Sequence, residues 1–210
     1  MPTAENQASL VEVYKEKATA TACQVAEFSS FEEAIPHLLS IMDKKAPCEL
    51  LYEEDVEKGP NGPNGCPTRV QKIIAAPEIG EYYEPLKKAF EEKGYKVIDS
   101  NLRHYTAGID MGVAFAKKGI AQSGTCMINA YNEDTRLATM VCEFCVLVLK
   151  KSQIMPTVLS MADEIRSEMS GNPTNYLTFI SGPSRTADIE RIGAVGVHGP
   201  LEMHIVLLEG

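Results

Sequence analysis

Apolar residues along this chain recur at two spacings, and the switches between them mark out its elements. Residues 5–18 form a polar helical pattern with a thin apolar stripe. At Ser30-Phe31-Glu32-Glu33 a capping box opens a clearer one, with Phe31, Ala34, Ile35, Leu38, Leu39 and Met42 at helical spacing. CELLY (48–52) predicts a strand. GPNGPNGCP (59–67) is the strongest punctuation in the chain and predicts a turn-rich loop. KIIAA follows as a strand. Glu81 to Lys93 is a helix with Leu86, Ala89 and Phe90 inward, stopped by Gly94, and YKVID is the next strand.

The second half is denser in strands. Residues 108–128 read as a helix or turn, a strand at Gly119–Ala121, a Ser-Gly-Thr corner and a strand at Cys126–Ile128. FCVLVL (144–149) is a near-continuous apolar run, as in a strand buried on both faces. Thr157 to Met169 is an amphipathic helix with Val158, Met161, Ala162, Ile165 and Met169 on one side, ended by Gly171-Asn172-Pro173. Phe179 to Gly210 closes the chain. There YLTFI reads as a buried strand, Gly182-Pro183 as a turn, the next residues as a short helix, and MHIVLL as a second strand.

This strand–helix–strand rhythm, at roughly 25 residues per cycle, predicts an α/β fold with a largely parallel sheet flanked by helices. The chain reads as one domain over 1–210. Residues of about 1–47 form a helical N-terminal portion, and those of about 108–210 a motif-bearing half. Its length supports a core without metal or disulfide staples.

Charge narrows the function classes. Twenty basic against 29 acidic residues give a net charge of −9, which argues against a large nucleic-acid footprint. No apolar run approaches a bilayer span, and the N-terminus lacks a signal-peptide core, so the expectation is a cytoplasmic protein without membrane insertion. In that compartment the six cysteines read as free thiols.

Candidate chemistry gathers at two turns. Ser184, Arg185, Thr186 and Asp188 sit where a strand hands over to a helix, which would aim free N–H groups and a positive dipole end at solvent. Ser123-Gly124-Thr125 joins two strands at a sharp bend. With the turn Gly182-Pro183-Ser184-Arg185-Thr186 it would cradle a small anion such as a phosphate, a carboxylate or a coenzyme A tail. The alternative is a tight turn plus a helix cap.

Nucleotide motifs fail. Gly119 to Gly124 has GxxxxG spacing, but Thr125 follows where a Walker A loop needs Lys. Gly193, Gly196 and Gly199 do not join a strand to a helix. Cys142-Glu-Phe-Cys145 runs into a strand rather than opening a helix, which suits two buried thiols better than a thioredoxin-type pair. As metal ligands these two would need two more partners. Asp188 and Glu190 point different ways on a helix, and Arg185 with Asp188 reads as a local ion pair. His198, between glycines, is the histidine placed to face a cleft, and His204 reads as a packed strand residue. Asp188, Glu190 and His198 are the candidate acid/base groups.

GIAQSGT followed by a strand, Arg136-Leu137-Ala138 ahead of FCVLVL, and SGPSRTADIE with GVHGP together resemble the lactate-utilisation (LUD) domain family. The resemblance covers about half of the chain, from Gly108 onward. It implies a fold like that of the sugar-phosphate isomerase and CoA-transferase superfamily. It also implies a subunit that supports oxidation of L-lactate, a small 2-hydroxy acid, beside iron–sulfur oxidoreductase partners that hold the clusters. The family motif positions are Ser123, Gly124, Thr125, Gly182, Pro183, Ser184, Thr186, Asp188, Glu190, His198 and Gly199. Where the family usually has Leu-Pro-x-x-His, this chain has Val141-Cys142-Glu143-Phe144-Cys145. Where Glu-Thr-Gly-Thr is common, it has Gln122-Ser123-Gly124-Thr125. Two other functions fit the residues: an enzyme acting on a phosphorylated or CoA-linked acid, and a metal-binding or redox-sensing protein using its cysteines.

Overall fold

The computed structural model describes residues 4–50, 52–53, 55–170, 175–186, 194–195 and 199–209. In chain order the elements are α1 (Ala4–Ala20), β1 (Cys23–Phe28), α2 (Phe31–Lys44), β2 (Lys58–Asn61), β3 (Pro67–Arg69), β4 (Ile73–Ala75), α3 (Tyr83–Glu91) and β5 (Lys96–Ile98). Then come β6 (Ile109–Phe115), β7 (Lys118–Ile120), β8 (Thr125–Asn129), α4 (Glu133–Met140), β9 (Cys142–Lys150) and β10 (Ile154–Met155). The last are α5 (Ala162–Ser170), β11 (Leu177–Ile180), β12 (Arg185–Thr186), β13 (Ala194–Val195) and β14 (Glu202–Leu208).

The main sheet has six strands in the order β1-β14-β9-β6-β4-β5, and every pairing is parallel. The α/β expectation is met. Period-2 alternation assigns its two faces. Val146, Val148, Val206 and Leu208 point to one side, where Phe31, Ala34, Leu38 and Met42 of α2 and Leu86 and Phe90 of α3 cover them. Leu147, Leu149, Ile205 and Leu207 point to the other. They meet Val11, Tyr14 and Ala18 of α1, Ala138 of α4, and Cys126 and Ile128 of a second sheet. That sheet runs β10-β7-β8-β11, and its outer side packs Ile120 and Met127 against Met161 and Ile165. At α2 the N-cap half of the expected capping box forms, while the reciprocal bond goes to the residue before the cap. Ser30 Oγ accepts from Glu33 N–H at 3.3 Å, and the Glu33 carboxylate accepts from Ser29 N–H.

Several elements differ from expectation, each for a local reason. The N-terminal portion read as helical also contains β1, an edge strand whose exposed Gln24 and Glu27 dilute the apolar signal. Among its described residues, CELLY forms an isolated bridge at Glu49 with Thr68 rather than a strand. The glycine-rich loop folds into the β2–β3 hairpin. The region from 109, read as helix or turn, is the strand β6, buried between β9 and β4. Asp110 and Gly112 interrupt its apolar run, yet both are needed: a side chain at 112 would land on the Ala138 carbonyl of α4.

YLTFI is the edge strand β11, with Phe179 43% exposed rather than buried. The 157–169 helix begins as a 3₁₀ turn over Val158–Met161, and Val158 and Met169 stay exposed. Arg185 and Thr186, expected to open a helix, pair instead as β12 with Val195 and Ala194.

Candidate functional site

Strand direction fixes where the motif-bearing turns meet. Cys23, Cys142 and Glu202 begin β1, β9 and β14, three neighbours in the parallel sheet, so their amino ends share one edge. The β7–β8 corner and the turn after β11 arrive at that same edge, because Ile180 pairs with Cys126 next to the corner.

A chain of hydroxyls ties the two turns together. Ser123 Oγ lies 2.6 Å from Thr125 Oγ1, which lies 2.6 Å from Ser181 Oγ. Gly124 has φ +64° and sits against the Ala18 backbone at the end of α1, so a side chain there would collide with it. Gly182, at φ +88°, makes the same close approach to the Thr21 carbonyl, which also accepts from Arg185 Nη2 at 3.0 Å. Ser184 N–H donates to Pro200 O at 2.9 Å, and any Cβ on Gly199 would crowd Ser184. The described parts of the two C-terminal motifs are therefore neighbours in space.

Bonding at these turns limits what they can offer a ligand. The N–H groups of Gln122, Ser123 and Gly124 already donate to Pro156 O, Ile120 O and Ile120 O. Among the described groups here, the hydroxyls and the exposed Arg185 guanidinium can meet an anion. Pro183 is buried. Asp188, Glu190 and His198 lie outside the described residues, as does the side chain of Thr186.

Directly beneath lie four thiols. Cys23, Cys126, Cys142 and Cys145 share one apolar cluster with Tyr14, and the Tyr14 hydroxyl lies 3.0 Å from Cys126 Sγ. Cys142 and Cys145 are hydrogen-bonded to each other although three apart in a strand. The alternation breaks between them, because Glu143 and Phe144 both reach Lys45 on the opposite side. Burial pushes the Cys126 thiol up to about 12. Cys145 is raised well above the usual thiol range by the Cys142 hydrogen bond and by burial. Burial also raises Cys23, although Thr21, the Gly182 backbone and Arg185 pull it back. Protonated thiols are poor nucleophiles and poor metal ligands. Among the described residues no three His, Cys, Asp or Glu side chains are arranged to hold a metal ion.

The same edge holds a buried charge network that the sequence reading missed. Lys45 Nζ lies 3.0 Å from Asp110 Oδ1 and 2.7 Å from Glu143 Oε2, and donates to Ala46 O at 2.7 Å. Asp110, fully buried, also accepts from Cys48 N–H at 2.9 Å and Ile73 N–H at 2.8 Å. Burial disfavours the Lys45 ammonium, but Asp110, Cys48 and Glu143 outweigh it and hold Lys45 above its ordinary range. The signal available in the sequence was Asp110 itself, a lone carboxylate inside an apolar strand.

Residues 11–208 match the family model described as the LUD domain. The chain belongs to the LUD domain family. The uncharacterized protein YkgG of Escherichia coli is 34% identical to this LUD chain over 101 residues, 47% of this chain and 44% of that protein. Lactate utilization protein C of Halalkalibacterium halodurans is 30% identical over 102 residues, 48% of this chain and 44% of that protein. The Bacillus subtilis protein of the same name is 30% identical over 101 residues, 47% of this chain and 42% of that protein. The matched stretch thus spans less than half the length of these relatives. A crystal structure of a DUF162 family protein from Deinococcus radiodurans superposes with a TM-score of 0.58 over 99% of both chains, at 14% identity. That likeness supports the fold of the LUD chain.

Proposed function

We propose that this LUD chain is a subunit supporting oxidation of L-lactate, or a closely related small 2-hydroxy acid, to the keto acid beside iron–sulfur partner proteins. The observation that carries the reading is the similarity of about half the chain to proteins named Lactate utilization protein C, within a LUD-domain match over 11–208. The chemistry of the chain fits an accessory role. Its clustered thiols are buried, and burial pushes Cys126 and Cys145 toward the protonated form, which suits packing better than electron transfer. In this reading the electrons pass to the partner's clusters, and this chain supplies a ligand pocket and a docking surface.

The test is anaerobic affinity purification of the full chain from lactate-grown cells, followed by identification of what co-purifies. An iron–sulfur oxidoreductase in near-stoichiometric amount is the expected result, with no lactate:dye oxidoreductase activity in the isolated chain. Recovery of the chain alone, or turnover by it alone, would overturn the accessory reading.

A further inference from the structure

On the α2 side of the sheet, opposite the thiols, a groove of about 390 Å³ opens at the amino ends of β1, β9 and β14. We infer that it binds a small carboxylate that also carries a hydroxyl group. Its sheet wall is formed by Phe144, Glu202 and His204, and its helix wall by His37, Ser40 and Lys44.

His204 is the decisive group. It is 3% exposed, and its Nε2 makes no hydrogen bond. Leaving such an atom buried and unbonded costs free energy comparable to a lost hydrogen bond, so a vacant valence facing a groove is a place for a ligand. Glu202 Oε2, which accepts from Gln24 Nε2 at 2.9 Å, lies 3.3 Å from that nitrogen but off the line of a hydrogen bond. The imidazole is held in place by the Phe144 ring, 5.7 Å away, which in turn lies 5.4 Å from Lys45 Nζ.

Ligand class follows from what is unspent. Lys45 is saturated by Asp110, Glu143 and Ala46, so the exposed Lys44 ammonium supplies the free positive charge. Its field already reaches His37 on the same wall. A carboxylate beside Lys44 and His37 would be paired. Ser40 donates to His37 O at 2.8 Å, which leaves its oxygen lone pairs free to accept. A hydroxyl both donates and accepts, so it satisfies His204 Nε2 in either tautomer. It can also donate toward Glu202, where a second anionic oxygen would be repelled. Phosphate, dianionic and facing Glu202, is disfavoured by the same argument. Phe144 and Ile41 supply apolar contact for a short carbon chain.

The inference rests on the 2-hydroxy acid reading above only for the choice of L-lactate as probe. The experiment follows the histidine ring resonances of the full chain by NMR during titration with L-lactate, acetate and inorganic phosphate. Saturable shifts of His204 and His37 are expected, with a Kd of about 1 mM for lactate and acetate roughly tenfold weaker for want of a hydroxyl. Lys44→Ala, at an exposed position, should weaken lactate about tenfold. His204→Gln should abolish the response at His37. No His204 shift at about 50 mM lactate, fifty times the expected Kd, overturns the site. So does equal binding of acetate or phosphate, or an unchanged affinity in Lys44→Ala. If no iron–sulfur partner co-purifies while His204 still responds, the oxidation reading fails and the site stands. If a partner co-purifies and His204 is silent, the site alone is lost.

Discussion

The two ends of the parallel sheet spend their polar groups differently. At the carboxyl ends of β4 and β5, where open α/β sheets usually bind ligands, two carboxylates are bonded into the fold. Glu78 Oε1 accepts from the Tyr131 hydroxyl at 3.0 Å and Oε2 from Thr135 Oγ1 at 2.9 Å. Asp134 accepts from the N–H groups of Asn101 and Leu102. Glu78 and Asn101 both have positive φ, so each loop bends sharply to meet α4. The amino ends hold the family's turns, the buried Lys45–Asp110 pair and His204 with an open valence. In this LUD chain, unspent bonding capacity points to the amino edge, against the usual rule for the fold.

The largest break in that comparison should come from Asp110→Ala. It would strand the Lys45 ammonium, 3% exposed at its side chain, with only the half-exposed Glu143 as a counter-charge. Removing one partner of a buried pair costs about 3–5 kcal/mol, to be read from urea unfolding midpoints. A loss under about 1 kcal/mol would mean that water or Glu143 carries the lysine, as at a surface pair.

Gly124→Ala comes next. The new methyl meets the Ala18 backbone while the residue is held at φ +64°, and overpacking of this kind costs roughly 1–3 kcal/mol. The substitution should also loosen the Thr125–Ser181 contact, which amide exchange across β8 and β11 would reveal. A neutral outcome would mean that α1 can slide away from the corner, and that the motif glycine answers to something other than packing.

At the carboxyl end the expected effect is smaller and separable into backbone and side chain. Glu78→Ala and Glu78→Gly both lose the bonds to Tyr131 and Thr135, but only glycine relieves the left-handed backbone at φ +56°. Glycine should therefore be the more stable of the two by roughly 1 kcal/mol. Equal thermal midpoints would show that the loop relaxes and that this end is not rigidly spent.

What the sequence made legible follows the same division. FCVLVL and MHIVLL became the adjacent central strands β9 and β14, since strands buried on both faces advertise themselves by composition. Ser123-Gly124-Thr125 was legible as a corner, because a positive φ between two strands calls for glycine. The strand β6 was hidden by Asp110 and Gly112, whose reasons lie in partners distant along the chain: Lys45, 65 positions away, and the Ala138 carbonyl. The groove was illegible for the same cause. His204 read as a packed residue, and so it is by burial. Its unaligned Nε2 depends on where Glu202 is held, and Gln24, 178 positions away, holds that carboxylate.

The smallest effect, and the one that best links the two ends to function, is in pH. Burial holds His204 below its ordinary value of 6.5, although Glu202 pulls the other way. His37 is lowered by burial and then by Lys44. Gln24, Lys44, Lys45, Glu202 and Phe144 are the polar, charged and aromatic groups that face this pair across the groove. Well above pH 6.5 both imidazoles are neutral in the folded and the unfolded chain, and stability is at its full value. As pH falls below 6.5 the unfolded chain takes up protons that the folded chain declines, so stability is lost toward the lower folded pKa. The chain has four histidines, so the share of the amino edge is read from the difference in slope between wild type and variant over pH 7.5 to 5.5. His204→Gln should flatten the slope in urea titrations. A bound carboxylate favours the protonated imidazole, so saturating lactate should flatten the wild-type slope too. If lactate leaves the wild-type slope unchanged while His204→Gln flattens it, no carboxylate binds beside His37 and the groove does not hold the ligand as inferred.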